Sequence, residues 1–136
     1  MAGSDGERVY ATARIDKLGV RPGARVAVLG VPDEDLLVEL EDRGAGVSFS
    51  SPAPGGADFV LLAADDHAAL AALDVLRAAI FPSGAVWVVS RKGHAATLRD
   101  VEVIAAARAA GLVDNKVIGF SATHTALRLV VPRDQR

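Results

Sequence analysis

Four short clusters in this chain hold residues able to do chemistry. Asp65-Asp66-His67 sets two carboxylates beside an imidazole, and Arg91-Lys92-Gly93-His94 gathers cations around a glycine. Thr123-His124-Thr125 flanks a histidine with hydroxyls, and Gly30-Val31-Pro32-Asp33, together with Ser50-Ser51, offers a turn and two more hydroxyls. The Asp65-Asp66-His67 cluster follows a strand-like run, and His124 between its two hydroxyls can serve as a general base. Neighbouring arginine and lysine suit a carboxylate, a phosphate or an acidic partner. Each cluster also has a plainer reading. Asp65 or Asp66 can cap a helix, His67 can be solvated, the 91–94 segment can be a solvated loop and His124 can be a turn residue. No Ser, Asp or Cys stands at a spacing that completes a catalytic set with His124. The three histidines lack ligand spacing and the chain has no cysteine, so no metal site, disulfide or thiolate chemistry is expected.

The elements that must position these clusters alternate between strand and helix. Thr12 to Leu18 is a short helical pattern stopped by Gly19. Arg25 to Leu29, entered through Pro22-Gly23, is an apolar run suited to a strand buried on both faces. Pro32 fits a first helical position, and Leu36, Leu37 and Leu40 recur at helical spacing up to Gly44, which predicts a helix over 33–43. Val47 to Ser50 reads as a second strand, followed by the breaker Pro52-Ala53-Pro54-Gly55-Gly56, and Asp58 to Ala63 as a third. Leu70, Leu73, Leu76 and Ile80 predict one helix over 66–80, and Ala85 to Ser90 reads as a fourth strand. A helix over 97–110 capped by Gly111 precedes two strands, 116–120 and 126–131. Their connection is short enough to require an antiparallel hairpin.

This pattern predicts an α/β fold: a three-layer Rossmann-like sheet of about four parallel strands closed by a C-terminal antiparallel hairpin, in the order 2-1-3-4-6-5. The expected organisation is a disordered segment at residues 1–8, a single domain over 9–133 and a tail at 134–136. Apolar residues make up 51% of the 136 and aromatic ones only 4%, which suits a core of small aliphatic side chains. Fifteen basic against 17 acidic residues, with no long run of one sign, argue against nucleic-acid or membrane partners. The chain has no apolar run of about 18 residues, and its opening residues lack the basic and apolar regions of a signal peptide. A cytoplasmic protein is expected.

In such a sheet ligands bind beyond the carboxyl ends of the strands where the strand order reverses, here between strands 1 and 3. Gly30, Ser50, Ser51, Asp65, Ser90, Arg91 and Lys92 would face that crevice. Gly30 permits a tight turn, but Val31 and Pro32 bring bulk and the loss of an N–H where an open backbone would cradle a phosphate or adenosyl group.

The segments Arg21-Pro-Gly-Ala-Arg-Val-Ala-Val-Leu-Gly30 and Phe81-Pro-Ser-Gly-Ala-Val-Trp-Val-Val-Ser90 resemble two strand entries of class I S-adenosylmethionine-dependent methyltransferases. Lys17 to Gly23, Leu73 to Val88 and Ala110-Gly-Leu-Val-Asp-Asn-Lys-Val117 further resemble a family of small bacterial proteins of uncharacterised function. That family is similar to such methyltransferases without their cofactor loop. The resemblance implies ligand-binding candidates Lys92, Asp114, Lys116, Ser121 and His124, the last standing where relatives tend to carry tryptophan. Ser50 stands where methyltransferases place an acidic residue on the ribose hydroxyls. The leading expectation is a non-catalytic, methyltransferase-like domain without a cofactor, binding a small ligand or a protein partner and able to form a homodimer. The alternative is a minimal methyltransferase that holds S-adenosylmethionine through Gly30, Ser50 and Asp65.

Overall fold

The computed structural model describes residues 13–136; the expected disordered segment at 1–8 and Thr12 lie outside the described residues. Six strands form one sheet in the order β2-β1-β3-β4-β6-β5. β1 (Arg25–Leu29), β2 (Gly46–Ser48), β3 (Ala57–Ala63) and β4 (Ile80–Arg91) run parallel, and β6 (His124–Val130) lies antiparallel between β4 and β5 (Val113–Gly119). This is the order and polarity expected from the strand and helix pattern.

Both faces of the sheet are covered, which is why the parallel strands read as unbroken apolar runs. Val26, Val28, Leu61, Trp87 and Val89 point to one face, under α1 (Arg14–Leu18) and α2 (Glu34–Arg43). Ala27, Val60, Leu62, Val86 and Val88 point to the other, against α3 (His67–Leu70), α4 (Leu73–Ala79) and α5 (Asp100–Ala109). Between β2 and β3 the chain crosses without a helix, through the loop of residues 49–56.

Several boundaries differ from the sequence expectation. The helix expected over 66–80 is two helices, because Ala71 and Ala72 bond back three residues to Ala68 and Ala69 and break the four-residue ladder. The break keeps Leu70, Leu73 and Leu76 all buried. Ile80 belongs to β4, paired with Ala57, while Ala85 pairs with Phe59, so residues 81–84 bulge out of the ladder. β2 stops at Ser48, which leaves Ser50 in the loop. Pro32 precedes α2 rather than opening it, and Asp33 is the cap, accepting from the Leu36 N–H at 2.9 Å. α5 starts at Asp100, not Thr97. The hairpin strands start at Val113 and His124, so Asp114 is a strand residue and His124 opens β6 instead of lying in the turn.

The bulge depends on Gly84. A methyl group there would meet the Asp58 carbonyl oxygen at 2.4 Å, a contact with backbone that no side-chain rotation relieves. Gly84→Ala is therefore expected to cost about 1–3 kcal/mol, the scale of overpacking, and to lower the melting temperature by several degrees. An unchanged melting curve would show that β3 and the bulge are free to separate.

Candidate functional site

The carboxyl ends of β1, β3 and β4 and the β5–β6 turn form one crest, where a smaller and a larger cavity open. The smaller, about 70 Å³, is lined by Val31, Pro32, Asp33, Phe120, Ser121, Thr123 and His124. The larger, about 500 Å³, lies over the start of α5 and is lined by Arg91, Lys92, Leu98, Arg99, Val101 and Thr125, with Ala96 and Asp100. Gly30, Ser50 and Asp65 line neither of them.

Gly30 is exposed and holds φ +77°, a conformation that glycine adopts without strain, and an added methyl there would only touch Ala63 Cβ at 3.7 Å. The next residues close the turn. Val31 is half-buried, Pro32 has no N–H, and Asp33 is held by Arg14. Arg14 Nη1 donates to Asp33 Oδ2 at 2.7 Å and to the Phe120 carbonyl at 3.1 Å, and Nε donates to Glu39 Oε1 at 3.1 Å. The guanidinium carbon also sits 4.6 Å from the centre of the Phe120 ring. Only 14% of the Arg14 side chain is exposed. Its burial alone would lower its pKa, but the hydrogen bonds to Glu39 and Asp33 outweigh this and raise it above the ordinary arginine value. The Arg14 hydrogen bond in turn holds the Asp33 carboxyl below its ordinary range, with further help from the Leu36 N–H and against the effect of burial.

Asp65 and Asp66 divide the roles that the sequence left open. Asp66 caps α3, accepting from the Ala69 N–H at 2.9 Å. Asp65 instead ties β3 to β4: Oδ1 accepts from the Arg91 N–H at 2.9 Å, its other oxygen lies 3.8 Å from Arg91 Nε, and its carbonyl accepts from the Thr97 hydroxyl. His67 is exposed yet paired, with Nε2 2.9 Å from Glu102 Oε1. The Arg99 N–H donates to the other Glu102 oxygen at 2.6 Å, and this bond, followed by His67, lowers the Glu102 pKa. The pair joins α3 to α5.

The candidates drawn from the resemblance fall into three groups. Ser121 and His124 meet beside Asp33: Ser121 Oγ accepts from the His124 N–H at 3.1 Å, and His124 Nδ1 lies 2.7 Å from Thr123 Oγ1. Lys92 is on the rim of the larger groove, its N–H bonded to the Thr123 carbonyl. Asp114 and Lys116 stand apart. Lys116 pairs in register with Arg128, which pairs with Trp87, and its ammonium donates to the Lys17 carbonyl at 3.2 Å. That register level lies roughly 16 Å down the strand from Lys92, at about 3.3 Å per residue, so the two lysines do not converge. Sequence reasoning missed Arg14, Glu39 and Phe120, because residues so distant in the chain share no spacing that announces their meeting. It also missed Leu98, Arg99 and Val101 as a groove wall, having placed Leu98 and Arg99 inside a helix that begins only at Asp100.

Among the described residues no helix is long and apolar enough to cross a membrane, and no three His, Asp or Glu side chains converge as metal ligands.

No family model matches the chain, and no curated protein matches it in sequence. Solved structures do match in fold. A SAM-dependent methyltransferase from Aquifex aeolicus superposes with a TM-score of 0.67 at 14% identity, over 94% of this chain and 98% of that one. The O-methyltransferase NcsB1 from neocarzinostatin biosynthesis matches with a TM-score of 0.54 at 22% identity, over 80% of this chain. The mitomycin 7-O-methyltransferase MmcR matches with a TM-score of 0.55 at 16% identity, also over 80%. The chain spans 42% and 49% of the lengths of these two O-methyltransferases. The sheet order, the C-terminal hairpin and these superpositions together show that the chain has the Rossmann-like fold of class I SAM-dependent methyltransferases.

Proposed function

We propose that the protein is a non-catalytic domain of methyltransferase fold that binds a small organic anion, and that it works without an adenosyl cofactor. The observation that carries this reading is the groove of about 500 Å³ at the end of β4, lined by three cations, Arg91, Lys92 and Arg99, against one carboxylate, Asp100, together with the apolar Leu98 and Val101. Lys92 has no ion-pair partner among the described residues, Arg91 stands 3.8 Å from Asp65, and Arg99 stands 3.9 Å from Glu102. A carboxylate with an apolar body matches cations around an aliphatic floor.

The cofactor half of the reading rests on the turn after β1. An adenosyl group needs backbone donors and room, and pockets for ligands of its size run to about 300–1,000 Å³. Here Pro32 removes a donor, Asp33 is committed to Arg14 and to α2, and the crest cavity beside them measures about 70 Å³. Ser50 is exposed in the 49–56 loop, and Asp65 is occupied with Arg91 and Thr97. These residues do not fit the cofactor.

Titration with S-adenosylmethionine and S-adenosylhomocysteine is expected to release no heat and leave the melting temperature unmoved. Benzoate is expected to shift the amide resonances of Lys92, Arg99 and Thr125 saturably, and Lys92→Ala with Arg99→Ala should weaken it about tenfold. Saturable micromolar binding of either adenosyl compound would overturn the reading in favour of a minimal methyltransferase. The open φ +77° turn at Gly30 and the fold likeness to SAM-dependent enzymes favour that second reading.

A protein partner is the other form of the first reading. Phe49 and Val38 are 65% and 55% exposed, and Phe49 lines a hollow with Leu37, Val47 and Glu41 beside the β2 edge. Association through that edge, with a second copy included, would appear as a sedimentation coefficient that rises with concentration and returns to the monomer value in Phe49→Ser.

A further inference from the structure

A further cavity lies at the opposite end of the sheet from the crest. It measures about 610 Å³ and opens at the amino ends of β1, β3 and β4, where Arg21, Gly23, Asp58, Phe59, Gly84 and Arg128 line it. Its charge is unbalanced. Asp58, the carboxylate among these residues, is committed elsewhere: it accepts from the Arg25 N–H at 2.8 Å and lies 3.9 Å from Arg25 Nε. Arg128 projects from β6 on the same sheet face as its register partner Trp87, is half-buried, and among the described residues its guanidinium finds only the Asn115 side-chain carbonyl, at 3.3 Å. Neither Arg21 nor Arg128 has a carboxylate partner among the described residues. Lys116 stands beside Arg128 across the hairpin and adds a third positive charge whose ammonium meets a carbonyl, not a carboxylate.

A guanidinium drawn from water without a counter-charge is costly, and the arrangement becomes favourable once an anion completes it. Burial, and after it the nearby Arg136, lowers the Arg128 pKa, the direction expected of a cation lacking its counter-charge. Phe59, half-buried in the wall, supplies an aromatic surface beside Gly19. At Gly23 the space where a side chain would stand is open.

We propose that this amino-end cavity is a second binding site, for a small organic anion whose phosphate or carboxylate group is held by Arg128 and Arg21 and whose ring or apolar body lies on Phe59. Planar guanidinium groups match both oxyanions, and the cavity has room for a body beyond the charged head. The site is separate from the crest groove and does not depend on the function proposed for it.

The test is a titration of the ¹⁵N-labelled chain with phenyl phosphate and, separately, with phenylacetate, at ionic strength matched with sodium chloride. Saturable shifts at Gly19, Gly23, Phe59 and Gly84 are expected from at least one probe, and comparing the two identifies the head group. Arg128→Met should weaken that binding about tenfold or more, Arg21→Ala severalfold, and Lys92→Ala not at all. Arg21 is exposed, so Arg21→Ala keeps the test valid if Arg128→Met fails to fold. Absence of saturable shifts from both probes, or shifts that persist unchanged in Arg21→Ala and Arg128→Met, would overturn the proposal.

Discussion

Trp87→Ala is expected to remove about 3–5 kcal/mol of stability, a large share of the roughly 5–15 kcal/mol that a domain usually possesses. Trp87 is fully buried at the centre of β4, beside Leu61 of β3 and Arg128 of β6, and it packs with Val26, Val28 and Leu36 under α1 and α2. Truncation to alanine leaves a cavity that neighbours on a rigid sheet cannot fill. Trp87→Phe separates size from polarity. The indole Nε1 is buried without a hydrogen-bond partner among the described residues, so tryptophan here carries the cost of a desolvated N–H together with the gain of its ring. Phenylalanine keeps most of the ring and has no N–H, so its cost is expected to stay below about 1.5 kcal/mol. Because Trp87 is the sole tryptophan, denaturant unfolding of all three proteins should be followed by far-ultraviolet circular dichroism. A phenylalanine variant as damaged as the alanine variant would show that the N–H does find a partner.

The second large effect is expected at Arg14. Its guanidinium joins α1 to Asp33 and Glu39 of α2 and to the Phe120 carbonyl at the end of β5, so one side chain ties three elements together at the crest. Arg14→Met keeps the apolar stem and leaves two carboxylates facing each other in a partly buried place. Removing one partner from a buried ion pair costs about 3–5 kcal/mol; with 19% and 31% of the Asp33 and Glu39 side chains exposed to water, about 2 kcal/mol is expected. Arg14→Met/Glu39→Gln should recover part of that loss, since it removes the like-charge repulsion. The acid limb supplies an independent measure. The folded-state pKa of Asp33 lies below its ordinary value of 3.8, so its contribution is complete above about pH 4 and is lost as pH falls through the folded value. Wild-type stability should therefore drop below about pH 4, and Arg14→Met should show a shallower drop. Identical acid profiles for the two proteins would remove the ion pair from the account.

Much of the fold was legible because its signals are local. Val26-Ala27-Val28 between Arg25 and Leu29 is a run that only a two-sided burial explains, and the structure places β1 on those residues. Gly44 at φ +84° ends α2 where the helical spacing of Leu36 and Leu40 ends. The 121–125 connection is too short for anything but a hairpin. The misplaced boundaries are those decided by partners far along the chain. Ile80 is a strand residue because Ala57 pairs with it, and Ser50 is a loop residue because β2 has only β1 as a neighbour.

The candidate site divides in the same way. The sequence by itself determined the sheet, its order, the cationic 91–94 segment and the bulky turn after Gly30, since each follows from residue type and short-range spacing. Only the tertiary structure decided that Asp33 belongs to Arg14, that Asp65 braces β4 while Asp66 caps α3, and that Lys92 and Lys116 lie at different levels of the sheet. It alone brought Arg21 and Arg128, more than a hundred positions apart, to the wall of one cavity. Backbone geometry follows from neighbours in sequence, whereas the pairing of a charge follows from which distant strand or helix the core forces against it.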